Sequence, residues 1–217
     1  MNSKLNLAVL FTTTALAGCA TTATNTIPEN PSTVELAPME MPEVEPKRFH
    51  QLDKQNDTER YFEHTTVNTD GTHKGRSHNG CSWHSPNDPF APAFKWEGCG
   101  SNPEWSSGEN RNQSKEGEMW PLAVGNQATY RYEQLNALGE SQGKTSKTCK
   151  VMSQVNIDVA YGNVDAYKVQ CKRRKGDWSR TQVWYFVPEL GMPVKYVNAT
   201  SSKGLEHDHE VTRVELL

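Results

Sequence analysis

Arg180–Val187 reads RTQVWYFV and, across the turn Pro188-Glu189-Leu190-Gly191, Met192–Asn198 reads MPVKYVN. Two short runs rich in Val, Tyr and Trp, joined by a Pro/Gly turn, have the texture of an antiparallel hairpin. The texture continues on both sides. Towards the N-terminus lie Gln127–Leu135 (QATYRYEQL), Lys147–Val155 (KTCKVMSQV) and Val164–Lys172 (VDAYKVQCK), and towards the C-terminus His209–Leu216 (HEVTRVEL). Several alternate polar with apolar residues, as strands with one buried face do. Gly139, Gly162-Asn163, Gly176-Asp177 and Gly204 mark the turns between them. Six strands with hairpin-length links and no helical segments between them predict a mainly β fold. An antiparallel β-meander or curved sheet over residues 119–217 is expected, not a parallel sheet.

Upstream, residues 48–65 read as a short polar helix, and the chain to residue 118 is dominated by Gly, Asn, Ser, His and Pro. Two similar clusters stand out in it, Gly80-Cys81-Ser82-Trp83 and Trp96-Glu97-Gly98-Cys99-Gly100, with Pro89-Phe90-Ala91-Pro92-Ala93-Phe94 between them. Residues 48–118 therefore read as a loop-rich, disulfide-stapled lobe packed around Trp83, Phe90, Phe94 and Trp96. Residues 19–47 hold Pro28, Pro31, Pro38, Pro42 and Pro46 and no aromatic residue. Glu29, Glu35, Glu40, Glu43 and Glu45 stand against Lys47 alone, a net −4. So little apolar content does not offset ordering entropy, and a disordered, extended Pro/Thr/Glu tether is expected.

The whole chain has 217 residues, 23 Lys+Arg against 26 Asp+Glu, and 35% hydrophobic residues. This balance argues against a dedicated nucleic-acid-binding domain. No apolar stretch of about 18 residues is present to form a spanning helix. Residues 1–18 read as a secretory signal, with Lys4 before the apolar run Leu5 to Ala17. The boundary Leu16-Ala17-Gly18-Cys19 resembles the lipobox of bacterial lipoproteins. That resemblance implies a diacylglyceryl group on the Cys19 thiol, cleavage before Cys19, and acylation such as palmitate on the freed amine. Each buried lipid CH₂ contributes about 0.8 kcal/mol, so two or three chains hold the protein on a bilayer. Ala20 stands where an Asp would favour the inner membrane, so the resemblance implies an outer-membrane anchor, facing the periplasm or the cell surface.

A second resemblance rests on three motifs in order. They are Trp120-Pro121-Leu122-Ala123-Val124-Gly125, Gly162-Asn163-Val164-Asp165-Ala166-Tyr167-Lys168-Val169, and Trp184-Tyr185-Phe186-Val187-Pro188-Glu189-Leu190-Gly191-Met192-Pro193-Val194-Lys195-Tyr196. Spanning about residues 120–197, they resemble the pattern of an uncharacterised β-sheet domain family in Gram-negative envelope lipoproteins. Tyr161-Gly162-Asn163-Val164 departs from the Ala-Gly-Thr-Phe often found there. The resemblance implies a fold and a compartment, and no chemistry.

Five cysteines leave four once Cys19 is lipidated, in a compartment where disulfides persist. Four allow three connectivities, and the sequence does not exclude two of them. Proximity selects Cys81–Cys99 and Cys149–Cys171. A turn at Gly162-Asn163 would leave Cys149 and Cys171 out of register, whereas a turn nearer Ala160, or a bulge, would pair them.

His64, His73, His78 and His84 crowd around Cys81, but His78-x₂-Cys81-x₂-His84 matches no two-pair zinc spacing. No metal and no cofactor are expected. His207-Asp208-His209 reads as the start of the last strand. The run Lys172-Arg173-Arg174-Lys175-Gly176-Asp177-Trp178-Ser179-Arg180 suits either an anionic contact or a solvated hairpin tip that guards a sheet edge, and the tip is preferred. Trp105, Arg173, Arg174 and Trp178 are the candidate ligand contacts. Gly-x-Ser-x-Gly, His-Glu-x-x-His and a phosphate-cradling glycine loop are absent, and no catalytic residue is assigned. The sequence thus predicts a non-catalytic, lipid-anchored structural or accessory module of an outer-membrane assembly. The alternative is a glycan- or lipopolysaccharide-binding lipoprotein, and an envelope hydrolase ranks below both. The expected partners are the bilayer, through Cys19, and an envelope protein or surface polysaccharide, with no nucleic acid.

Overall fold

The computed structural model describes residues 32–217, so Cys19 and the signal lie outside the described residues. The strands are β1 (Ser32–Thr33), β2 (Lys47–Asp53), β3 (Thr58–Val67), β4 (Thr72–Ser77), β5 (Ser82–Pro86), β6 (Lys95–Glu97) and β7 (Gly108–Glu118). They continue with β8 (Gln127–Leu135), β9 (Ser141–Val159), β10 (Gly162–Lys175), β11 (Trp178–Val187), β12 (Met192–Thr200) and β13 (Gly204–Leu216). From β2 to β13 each strand pairs antiparallel with the next, and β13 pairs back onto β2, closing a twelve-stranded up-and-down barrel. Closure leaves no strand edge to water over most of its length.

The antiparallel meander is present, and it is larger than the sequence suggests. Residues 48–65 are not a helix. They form the β2–β3 hairpin, in which Phe49 pairs with Phe62 and their rings stack at 4.6 Å. Residues 48–118 likewise form no lobe of their own, because β2 to β7 are half of the barrel wall. Both segments hide their strands for one reason: a roomy lumen accepts polar side chains, so inward positions need not be apolar and the alternation fades. Phe90 does not centre a separate lobe either. It is fully buried in the barrel core, 5.0 Å from Phe186 and 5.6 Å from Trp120. An eight-stranded barrel is about filled by its own side chains, and twelve strands leave more room. The loop around Phe90 plugs part of that space.

Residues 32–46, read as tether, also follow a defined path. Strand β8 pairs with β9 only as far as Gln127 opposite Lys150, which leaves the rest of β9 open on that side. β1 covers it, with Thr33 opposite Val155. The Gln154 amide then imitates a strand partner for Leu36, accepting from its N–H at 3.2 Å and donating to its carbonyl at 3.0 Å. Tyr167 donates to the Ala37 carbonyl, and Met39 and Leu122 exchange backbone hydrogen bonds at 3.1 and 2.7 Å. Exposed backbone donors and acceptors on β9, together with burial of Met39, hold a segment whose composition alone predicts disorder.

Both disulfides form as proximity suggests, Cys81–Cys99 and Cys149–Cys171. Gly162 pairs with Val159, so the turn is Ala160-Tyr161, and a bulge at Met152 brings Cys171 directly opposite Cys149. The tip of this long hairpin curls over the outside of β11 and β12, where the Ala160 N–H donates to Glu210 of β13 at 2.9 Å. Beneath the hairpin, Val155, Ala166, Val183, Tyr185, Val187 and Val197 belong to a second apolar cluster, which also takes in Phe49 and Met192.

Candidate functional site

The inward row of β11 sets up the site. With period 2, Arg180, Gln182, Trp184 and Phe186 share one face, and all four line a cavity of about 750 Å³ in the lumen. That size suits a small-molecule site. Tyr196 of β12 lies opposite Trp184 with ring centroids 4.5 Å apart, and Gln182 donates to its hydroxyl at 2.7 Å. Across the lumen stand the stacked pair Phe49 and Phe62, and Trp83 of β5. Trp83 lies flat over Gly75 of β4, where a Cβ would run into its ring. Pro42, Glu43, Val44 and Glu45 close one side, with Pro42 seated against Gly191.

The cavity wall carries both signs, with Glu43, Glu45 and Asp88 against Lys47, Arg180 and Lys195. His64 and His73 face each other at 4.6 Å. Burial, then His73 and Lys47, pulls His64 down to about 3, and burial lowers His73, so both are neutral at pH 7. Lys47 is paired with Glu45 at 2.6 Å and Lys195 with Glu210 at 3.0 Å, so Arg180, 3.5 Å from Glu206, is the least neutralised of the three cations. The Trp184 indole Nε1 and the Arg180 Nε are buried without a hydrogen-bond partner. Such donors await an acceptor.

Beyond Arg180 the same face carries further cations. Cross-strand register places Lys147 of β9 opposite Arg173 of β10, and Arg173 opposite Arg180. Burial, and then Arg173, pulls the Lys147 ammonium down to about 8, against an opposing pull from Asp88. Arg173 stacks on Tyr132 and Trp178 at 5.8 and 5.5 Å, and Arg180 on the same Trp178 at 5.3 Å. Trp105 lies under Lys175, 4.5 Å from its Nζ.

Of the candidate contacts, Arg173, Trp178 and Trp105 thus gather at one end of the barrel, each already against a ring or a cation. Arg174 is exposed on the opposite face of β10 and does not join them. The solvated-tip reading fits Arg174 and fails for the inward-facing Arg173. Lys147, Trp184 and Tyr196 are not among the contacts read from the sequence, and Arg180 enters there only as the last cation of the run Lys172–Arg180. One signal bears on the first: Lys147 sits two residues from Cys149, and Arg173 two from Cys171, so a buried disulfide marks their common face.

Metal chemistry has one geometric candidate among the described residues. Asp53, His207 and His209 bring ligand atoms within 4.8 Å of one another. Asp53 is already engaged, since Arg60 pairs with it at 2.9 Å and the Gln55 N–H and Asn56 amide donate to it. The histidines near Cys81 do not form a site with it, because Cys81 is bonded to Cys99 and His84 faces Thr72 and Phe94.

No protein-family model and no curated protein matches the chain. Solved structures are similar to it, among them the following three. The hypothetical lipoprotein YmcC from Escherichia coli (K12) is 10% identical with a TM-score of 0.47, over 84% of this chain and 90% of that one. A presumed exported protein with a YmcC-like fold from Bacteroides fragilis NCTC 9343 is 7% identical with a TM-score of 0.39, over 82% and 100%. A presumed lipoprotein from Parabacteroides distasonis ATCC 8503 is 8% identical with a TM-score of 0.41, over 83% and 100%. At this level the similarity places the chain in no family.

Proposed function

We propose that the chain is a non-catalytic, lipid-anchored envelope protein whose barrel binds a ligand, with an acidic glycan or a lipopolysaccharide component as the class. The single observation behind the binding role is the lumen cavity of about 750 Å³, walled by Phe49, Phe62, Trp83, Trp184 and Tyr196 with Arg180 beside them. Aromatic faces stack on sugar rings or acyl chains, and the Arg180 guanidinium orients an acidic group. A purely structural module gains nothing from keeping such a cavity and its unpartnered donors inside a closed barrel. The anchor rests on Leu16-Ala17-Gly18-Cys19. Cys19→Ser is expected to abolish lipidation and leave the precursor uncleaved, and unchanged mobility in the outer-membrane fraction would overturn the anchor.

Binding is tested on purified full-length protein by co-sedimentation with lipopolysaccharide and with peptidoglycan, comparing wild type with Trp184→Ala. Retention by the wild type and at least tenfold loss in the variant, at unchanged far-UV circular dichroism, is the expected result. Equal retention by both proteins would remove the cavity from the binding reaction.

A further inference from the structure

We propose that the inward row Lys147–Arg173–Arg180 is a phosphate-binding site at the end of the lumen cavity, reading the phosphate group of a lipid headgroup or a phosphorylated sugar. This deepens the ligand-binding reading of the cavity and rests on it.

Three cations on adjacent strands lie directly opposite one another on one face. Like charges in that position repel and weaken a sheet. They also face inward: Lys147 is 8% exposed and its row neighbours Tyr130 and Thr145 are buried, while Arg173 and Arg180 are half-buried. Buried charges are ordinarily paired, and an arginine cannot shed its proton instead. Yet among the described residues no carboxylate pairs with Lys147 or Arg173. Arg180 reaches Glu206 at 3.5 Å, but Glu206 is shared with Lys203 and Asn198. Asp88, the other carboxylate near Lys147, already accepts from Tyr130 at 2.6 Å, Trp120 at 3.2 Å and the Phe90 N–H at 3.0 Å.

What the row does have is orientation. Tyr132 and Trp178 hold the Arg173 guanidinium by its faces, Trp178 holds that of Arg180, and Gln134 fixes Arg173 through one hydrogen bond of 2.7 Å. Aromatic faces immobilise a cation without neutralising it. The Nε atoms of both arginines are buried and without acceptors. Two pre-oriented guanidinium forks and one ammonium point charge match a tetrahedral oxyanion with several acceptor oxygens. Arg180 also lines the cavity, so a bound phosphate would sit where an apolar or sugar portion extends along Trp184 and Tyr196.

The test is thermal unfolding of the full lipidated chain in an uncharged detergent, with inorganic phosphate, glucose 1-phosphate, or phosphatidic acid in mixed micelles. Sodium chloride at matched ionic strength is the reference. A rise of several degrees with a phosphate probe over chloride is expected, and which probe acts at the lower concentration separates the sugar source from the lipid one. Lys147→Met is expected to lose at least tenfold in phosphate affinity while melting a few degrees higher without ligand, because it removes a buried, unpaired charge. Arg173→Met is expected to lose the phosphate effect as well. No phosphate effect beyond chloride, or a lower melting point for Lys147→Met, would overturn the site. A neutral naphthylamine dye, followed by quenching of tryptophan fluorescence, reports the cavity separately. Dye binding without phosphate binding overturns the phosphate site and keeps the cavity reading, and phosphate binding without dye binding does the reverse.

Discussion

Glu63 shows what a satisfied charge looks like in this protein. It is 1% exposed, yet Arg48 pairs with it at 2.9 Å from β2 and Arg76 from β4, one on each neighbouring strand. Burial alone would raise its pKa, but the two guanidiniums overcome that and hold it below the ordinary 4.5. A depressed carboxylate contributes stability that is fully present above pH 4.5 and is lost as the pH falls through its folded-state value. Glu63→Gln is therefore expected to cost about 1–2 kcal/mol at pH 7, discounted because both arginines are partly exposed, and less at pH 3. Urea unfolding at the two pH values checks it. Gly75 makes the complementary point about space. Since a Cβ there meets the Trp83 ring, Gly75→Ala is expected to cost about 1–3 kcal/mol and to alter the near-UV circular dichroism, as overpacked cores do.

Among the elements, the β9–β10 hairpin carries the most. It forms part of the barrel wall, reaches over to Glu210, and presents the edge that residues 32–39 cover. Tyr167→Phe combined with Gln154→Ala removes the side-chain contacts that hold Leu36 and Ala37. The expected outcome is faster proteolytic cleavage between residues 34 and 45, with the barrel itself still resistant; cleavage at the wild-type rate would show that β1 and the Met39–Leu122 bridge suffice. The hairpin is also cross-linked. Cys149 and Cys171 are 22 residues apart, which in the chain-entropy model is worth about 3 kcal/mol, so the double Ala variant is expected to lose about that much in urea unfolding.

For the whole molecule, closure is the organising event. β13 joins β12 to β2, so the first and last strands of the barrel wall meet in one pairing. Ending the chain at Lys203 removes that strand and opens two edges in the wall. The truncated protein is expected to lose its cooperative thermal transition and to aggregate, because open, half-apolar edges pair with other chains. A sharp melt of a monomer, by calorimetry and size exclusion, would show that closure is dispensable.

Local chemistry settled a good part of this. Strand β8 matches its sequence limits, Gln127–Leu135, because TYRY alternates cleanly between a buried and an open side. The hairpin around Pro188–Gly191 follows from turn chemistry, and the cysteine pairs follow from proximity and compartment. What escaped the sequence depends on contacts between distant residues. Residues 32–46 are ordered because β9 outruns β8 and offers an unpaired edge, which no composition can reveal. Strands β2 to β7 escaped because a wide lumen tolerates His, Lys and Gln facing inward. Arg173 looked like a solvated tip until closure turned its side of the sheet into an interior. Periodicity tells which residues share a face; only the closed wall decides whether that face meets water or the lumen, and with it where the cations and the cavity meet.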